Sequence, residues 1–304
     1  MNELSERLKR SKDLVICAYD AGGAEFLSSY LIANDISGSF LLSGPALQIF
    51  EKKFENFHEK LITTIPNSSE TLLSATGGQT DFEFETMRRV LNKGREVVAI
   101  LDHWFNYPDR FVRNGERIIP SSILVFDHEA EALAKGQFPG IPIHRSRNYY
   151  FEAIKRDYNK LITQGFNLEN KQDFLYLCEP ISRDEFNRKK GFDEYSSLEY
   201  FFEVLKSFNL QNSLITIRPH PSDPDGKYES LIPEAFKNVV IEHRATLVEN
   251  LAKSSVVVGC NTMAMIVALE LGKTVLSATP PPAITVFPHQ KITKIQEWIP
   301  VINS

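Results

Sequence analysis

Short runs of β-branched and aromatic residues alternate with helix-period segments along the whole chain, and this constrains the fold more than any other feature. Such alternation is the pattern of βαβ units wound around parallel sheets. In the first half the predicted strands are Leu14–Tyr19, Ser39–Leu42, Thr71–Ala75, Val97–Leu101 and Ile123–Phe126, with helices expected near Ala24–Ala33, Asp81–Asn92 and Glu129–Lys135. After Pro142 the stretch Asn148–Thr163 reads as a helix, and Gly165 to Gln172 is polar and turn-rich. The pattern then restarts with Phe174–Cys178, Leu214–Ile217, Val239–Ile241, Val256–Val258 and Thr274–Leu276. The fold class is therefore α/β: two Rossmann-like, doubly wound lobes facing a central cleft, at residues 1–165 and 166–304.

A chain of 304 residues exceeds the size at which one hydrophobic core keeps growing, which agrees with two lobes. Its formal charge of −5 gives no basic excess for a phosphate backbone, so no nucleic-acid partner is expected. The segment Met1–Lys12 is charged and amphipathic rather than signal-like, and no apolar run approaches a membrane span. A cytoplasmic protein is expected, with at most a weak peripheral contact to a membrane or an assembly complex through that segment. Cys17, Cys178 and Cys260 lie far apart in apolar runs and read as reduced core residues.

In such sheets ligands bind beyond the carboxyl ends of the strands, so the residues following each strand are the candidates. The loop Arg218-Pro219-His220-Pro221 places a guanidinium fork and an imidazole directly past a predicted strand. Both suit a phosphate; the plainer alternative is a stiff loop whose Arg and His satisfy local carbonyls or Asp223. Further on, Val258-Gly259-Cys260-Asn261-Thr262 feeds an apolar helix that runs through Ala268-Leu269-Glu270 to Gly272-Lys273. Free amides at that helix start form a natural anion site, unless Asn261 or Thr262 simply caps it. Glu270 reads either as a ribose ligand or as an exposed helix-face carboxylate.

The R-P-H-P loop followed by this small-residue helix start resembles the donor half of GT-B glycosyltransferases, especially bacterial sialyltransferase-like and capsule-polysaccharide enzymes with an H-P motif. The likeness covers the C-terminal lobe and extends to the N-terminal lobe in architecture only. It implies that His220 and the adjoining Arg218 and Pro221 meet the donor phosphate or sugar. It further implies that Gly259, Asn261 and Thr262 bind phosphate and that Glu270 meets the ribose. No base-specific signature separates cytidine, uridine or another phosphorylated donor. On this resemblance residues 166–304 bind the donor and residues 1–165 face the acceptor.

The most informative N-terminal stretch is Asp102-His103-Trp104-Phe105-Asn106-Tyr107, after a predicted strand. Asp102 or His103 would take a proton from an acceptor hydroxyl, while Trp104 and Tyr107 would stack on a sugar face. The competing reading makes the aromatics core contacts and Asp102 a turn cap. Asp20, with Gly22 and Gly23, follows the first strand, and Gly77 and Gly78 follow a later one; glycine there lets backbone approach a ligand, or serves chain geometry alone. Asp20 is a third catalytic candidate, at the position where inverting transferases often keep a carboxylate. Asp127-His128-Glu129 reads as a helix start, and Glu179 as a cap or a cleft residue. Histidine spacing matches no zinc motif, so no metal and no cofactor are expected.

The expected reaction is transfer of a sugar from a phosphorylated, nucleotide-type donor to a hydroxyl of a surface-glycan or lipid-linked acceptor. The alternatives are a nucleotide-sugar epimerase or hydrolase, or a phosphoribosyl-diphosphate-dependent transferase, on the same fold. A non-catalytic scaffold subunit of polysaccharide assembly is a further alternative.

Overall fold

The apolar runs form strands buried on both faces, as parallel sheets covered by helices require. A computed structural model describes residues 3–78, 80–165, 172–183, 191–220, 223–283, 287–289 and 291–298. The chain divides into two compact units, Met1–Ala153 and Ile154–Ser304.

The first unit holds a six-stranded, all-parallel sheet of β1 (Val15–Ala18), β2 (Ser39–Leu42), β3 (Thr71–Ser74), β4 (Glu96–Ile100), β7 (Ser122–Val125) and β8 (Ile143–Arg145). Its spatial order is β2-β1-β3-β4-β7-β8, with Val15 opposite both Ser39 and Leu72. Strand order reverses between β1 and β3, which makes the gap beyond their carboxyl ends the switch point of this sheet. Its helices are α1 (Glu3–Arg10), α2 (Ala21–Asn34), α3 (Pro45–Lys53), α4 (Phe57–Lys60), α5 (Phe82–Leu91) and α6 (His128–Gln137); α7 (Tyr149–Thr163) follows β8 and contains the division between the units.

Two features of this unit were not legible from the alternation. Strands β5 (Val112–Arg113) and β6 (Glu116–Arg117) form a small antiparallel hairpin across Asn114-Gly115, whose φ angles of 50° and 79° are those of a type I′ turn. In α1, Leu4 and Leu8 are buried to 1% exposure. The apolar face of that helix is thus committed to the core of its own unit, which removes the physical basis for a membrane contact there. No helix among the described residues is long and apolar enough to cross a membrane.

The second unit repeats the plan with β9 (Gln172–Leu177), β10 (Ile215–Arg218), β11 (Val239–Ile241), β12 (Ser254–Gly259), β13 (Thr274–Ser277) and β14 (Thr293–Lys294). The order β11-β10-β9-β12-β13-β14 is the dinucleotide-fold order 3-2-1-4-5-6, with the switch point between β9 and β12. Its core is aromatic: Phe174, Tyr176, Phe201, Phe202, Tyr228 and Phe236 are all buried. Each of the buried Phe side chains contributes about 1.5–3 kcal/mol. Helices α8 (Glu194–Ser207) and α9 (Leu247–Lys253) open on reciprocal capping boxes, Asp193 with Ser196 and Thr246 with Glu249. The last helix, α10 (Met263–Glu270), is capped by Thr262. The three cysteines are buried, as their place in apolar runs suggested.

Candidate functional site

At the switch point of the first sheet, Asp20 leaves β1 and Thr76-Gly77-Gly78 leaves β3. The Gly78 amide donates to Asp20 Oδ2 at 3.2 Å. A Cβ on Gly77 would sit 2.2 Å from that same oxygen and 3.1 Å from Glu83 Oε1, so only glycine fits between the two carboxylates. Glu83 lies in the first turn of α5 and is 1% exposed; its Oε1 accepts the Tyr19 amide at 2.8 Å. Burial, reinforced by the charge of Asp20, pushes the Glu83 carboxyl up to about 7.

Asp102 follows β4 and is 8% exposed. Arg110 donates to Asp102 Oδ1 at 2.6 Å, and the same nitrogen reaches the carbonyl and hydroxyl oxygens of Thr76 at 2.9 Å each. Burial would raise the Asp102 carboxyl, but the charges of His103 and Arg110 outweigh it and hold the group below the usual carboxylate range. His103 Nε2 stands 3.7 Å from Asp102 Oδ2. A Cβ on Gly22 would lie 3.0 Å from that oxygen and 3.9 Å from His103 Nε2, which places both groups over the start of α2. Asp20, Gly22, Gly77, Gly78, Asp102 and His103 therefore gather at one end of one sheet.

Gly23 answers to packing, since its Cβ would collide with that of Ala75 at 2.7 Å. Trp104 and Tyr107 are 6% and 2% exposed, and the Trp104 indole donates to Asp127 Oδ2 at 2.7 Å. Both rings brace the loop after β4 from within the unit rather than presenting a face to solvent. Asp127 also caps α6 through the Ala130 amide, as its position before that helix implied. A groove of about 710 Å³ between the Thr63–Ile65 segment and α5, bordered by Arg89 and Lys93, contains none of these groups.

In the second unit the residues that leave β9, β10 and β12 again meet at the carboxyl ends. The Asn261 amide donates to Glu179 Oε2 at 3.1 Å, across the switch point of that sheet. Thr262 caps α10 through the Ala264 amide at 3.4 Å. A Cβ on Gly259 would meet Met265 Sδ at 3.0 Å and the Leu177 carbonyl at 3.2 Å, so this glycine lets β12 close on its neighbours. Arg218 donates to the Ala245 carbonyl, which ties β10 to the loop before α9. Glu270, eight residues beyond Thr262, stands about 12 Å along the helix axis from the α10 start. It pairs there with Lys155 at 3.0 Å. Pro221 lies outside the described residues.

His220 is half-buried and its amide donates to Asp223 Oδ2 at 3.0 Å. Asp223 belongs to a network that the sequence did not disclose. Lys227 bridges Asp223 Oδ1 and Glu194 Oε1, both at 2.7 Å, with all three side chains at most 6% exposed. Tyr228 donates to Asp223 Oδ2, and Ser182 gives its amide and hydroxyl to Glu194, each at 2.8 Å. The loop carrying His220 is thereby fastened to α8. Glu83, Arg110, Lys227 and Glu194 are the site-region residues that motif reading missed. Among the described residues no group of three or more His, Cys, Asp or Glu stands together to hold a metal.

No family model matches the chain, and no curated protein matches it. Solved structures match in fold. UDP-GlcNAc 2-epimerase from Neisseria meningitidis bound to UDP-GlcNAc superposes with a TM-score of 0.61 at 12% identity, over 87% of this chain and 82% of that one. The Methanocaldococcus jannaschii UDP-GlcNAc 2-epimerase in complex with UDP-GlcNAc and UDP gives 0.58 at 12% identity, over 87% and 83%. S. aureus MnaA with UDP gives 0.58 at 11%, over 88% and 78%. The chain thus has the GT-B fold, with two Rossmann-like lobes. The first two are epimerases, where the sequence alone resembled the transferases of that fold.

Proposed function

We propose that the protein is a GT-B enzyme that transfers a sugar from a nucleotide-diphosphate donor to a hydroxyl acceptor. The observation that carries this reading is the gathering of Asp20, Asp102 and His103 at the switch point of the first sheet. The second sheet offers a separate ligand-facing end at His220 and Asn261-Thr262. In this reading Asp20 takes the acceptor proton as the acceptor oxygen bonds to the anomeric carbon and the bond to the leaving phosphate breaks. His103 and the Asp102 carboxylate hold sugar hydroxyls above the glycine-lined start of α2. The α10 start, His220 and Asn261 receive the charge that develops on the departing diphosphate. Arg218 acts indirectly by fixing the loop before α9, and Trp104 and Tyr107 support the loop that carries His103. The acceptor class suggested by the sequence, a glycan or lipid-linked hydroxyl, belongs to this proposal.

Epimerisation or hydrolysis of a nucleotide sugar is the second reading, favoured by the fold match to structures crystallised with UDP-GlcNAc and UDP. One experiment separates the two. The protein is first screened by thermal shift and calorimetry against UDP, CDP and GDP, with His220→Ala and Asn261→Ala as variants; a ligand that prefers the folded state raises stability by mass action. UDP-GlcNAc, or the sugar of whichever nucleotide binds, is then incubated in deuterated water and followed by NMR. Deuterium entering the sugar at C2 with a new epimer means an epimerase. Sugar released without an acceptor means a hydrolase, and turnover that needs an acceptor means a transferase. Equal nucleotide binding by wild type and both variants would remove the second unit's donor site.

A further inference from the structure

Glu83 is a buried titratable group that the mechanism above does not use. Its Oε2 is buried and has no hydrogen-bond partner among the described residues, although Oε1 is occupied by the Tyr19 amide. A buried, unpaired carboxylate oxygen is costly, and protonation relieves that cost. The point where a Gly77 Cβ would fall is crowded by Asp20 and Glu83 together, so the two carboxyl groups share one small space. Two carboxyls so placed cannot both ionise cheaply. Among the described residues, the other groups facing Glu83 supply no compensating cation. From β1 comes the Cys17 thiol, which burial keeps neutral. From β5, Arg113 spends its guanidinium on the Gly77 carbonyl and on Asp81, each at 3.0 Å.

We propose that Glu83 is a positioning residue that keeps its proton beside Asp20, so that the Asp20 carboxylate alone of the two carries charge and serves as the acceptor-facing base. Resting as it does on the assignment of Asp20 as the base, the idea also makes a claim about the resting protein. Glu83 itself never touches substrate. When the acceptor hydroxyl gives up its proton, the proton goes to Asp20 and leaves to solvent after the product departs, while Glu83 retains its own.

The test uses infrared titration of the full chain without ligand, followed by pH–rate profiles with the donor found above. A protonated-carboxyl band is expected at about pH 6 and lost by about pH 8, bracketing the Glu83 midpoint. It should vanish in Glu83→Gln and move to lower pH by about one unit in Asp20→Asn, where the neighbouring charge is gone. In kinetics, Glu83→Gln should erase the limb of the kcat/KM profile near neutrality and leave KM for the donor within about twofold. A merely structural role would leave that limb in place. A wild-type protein with no such band, or with a band untouched by Glu83→Gln, overturns the pair whatever the enzyme does. If the band behaves as expected but Asp20→Asn turns over normally, the positioning role fails while the pair stands.

Discussion

Arg110 and Asp102 meet at 2.6 Å with side chains only 10% and 9% exposed, so a full ion pair is buried beside the proposed acceptor site. The same guanidinium nitrogen holds Thr76, and Arg113, three residues on, holds the Gly77 carbonyl. The short helical turn over Asp109–Phe111 thus serves as a clamp that fixes the β3 turn against the β4 turn. The loops after β3 and β4 are held in register by charge-assisted hydrogen bonds.

Removing one partner of this pair leaves the other buried and uncompensated. Arg110→Ala is expected to cost about 3–5 kcal/mol at neutral pH, measured by urea unfolding. Asp102 is held below its ordinary range in the folded protein, so its pairing stabilises above the unfolded carboxylate range and is lost as pH falls through the lowered folded value. The deficit of Arg110→Ala should therefore shrink as the pH is lowered. Equal deficits at acid and neutral pH would show that the pair contributes packing alone.

Lys227 gives a sharper case, because one cation serves two carboxylates. Burial raises Asp223 and Glu194, but the hydrogen bonds they accept, those from Lys227 foremost, together outweigh it and lower both. Lys227→Met should destabilise by about 3–5 kcal/mol at neutral pH, and adding Glu194→Gln should recover part of that loss by removing one stranded charge. Because Asp223 also holds the His220 amide, nucleotide affinity should fall in Lys227→Met and rise again in the double variant. Additive losses in the two substitutions would argue against a coupled network.

Much of this fold was legible in the chain, for a physical reason. Strands buried on both faces are short continuous apolar runs, and Val15–Ala18 and Thr71–Ser74 lie within the runs that the pattern marked. The edge strands Ile143–Arg145 and Thr293–Lys294 escaped because edges are short and half-exposed, which leaves no apolar run to read. Asp20, Asp102 and His103 were singled out because ligands in such sheets bind at strand ends, and the structure gathers them at one end of the first sheet. Glu83 was not, because nothing local separates an inward glutamate from an outward one in Phe82-Glu83-Phe84-Glu85; Glu83 is buried and Glu85 pairs with Arg88 at the surface. Lys227 and Glu194 are 33 residues apart, and no spacing rule joins them.

Three glycines should separate geometry from function. A Cβ at Gly77 would lie 2.2 Å from Asp20 Oδ2, one at Gly22 would lie 3.0 Å from Asp102 Oδ2, and one at Gly78 would meet nothing within 4 Å. Gly77→Ala must displace Asp20, and turnover is expected to fall by about 100-fold, the usual scale for a lost general base. Gly22→Ala requires only a few tenths of an ångström of movement and should lower turnover much less. Gly78→Ala should change neither stability nor rate. A Gly77→Ala protein with wild-type turnover would dissociate Asp20 from the chemistry.

The Glu83 carboxyl also sets a dependence of stability on pH that needs no substrate. Its folded value of about 7 lies above the ordinary 4.5 because of burial and the charge of Asp20, and a group raised in this way binds its proton more tightly in the folded chain. The stabilisation from that proton is complete below the unfolded value, and it is lost as pH rises through the folded value. Wild-type stability should therefore decline between about pH 4.5 and about pH 7, by up to about 3 kcal/mol from this group. Glu83→Gln keeps the shape and the Tyr19 hydrogen bond but has no proton to lose. Its stability relative to wild type should thus rise across that interval and level off above it. Parallel pH curves for the two proteins, measured by urea unfolding, would mean that Glu83 is already ionised when folded and that its buried oxygen is satisfied in another way.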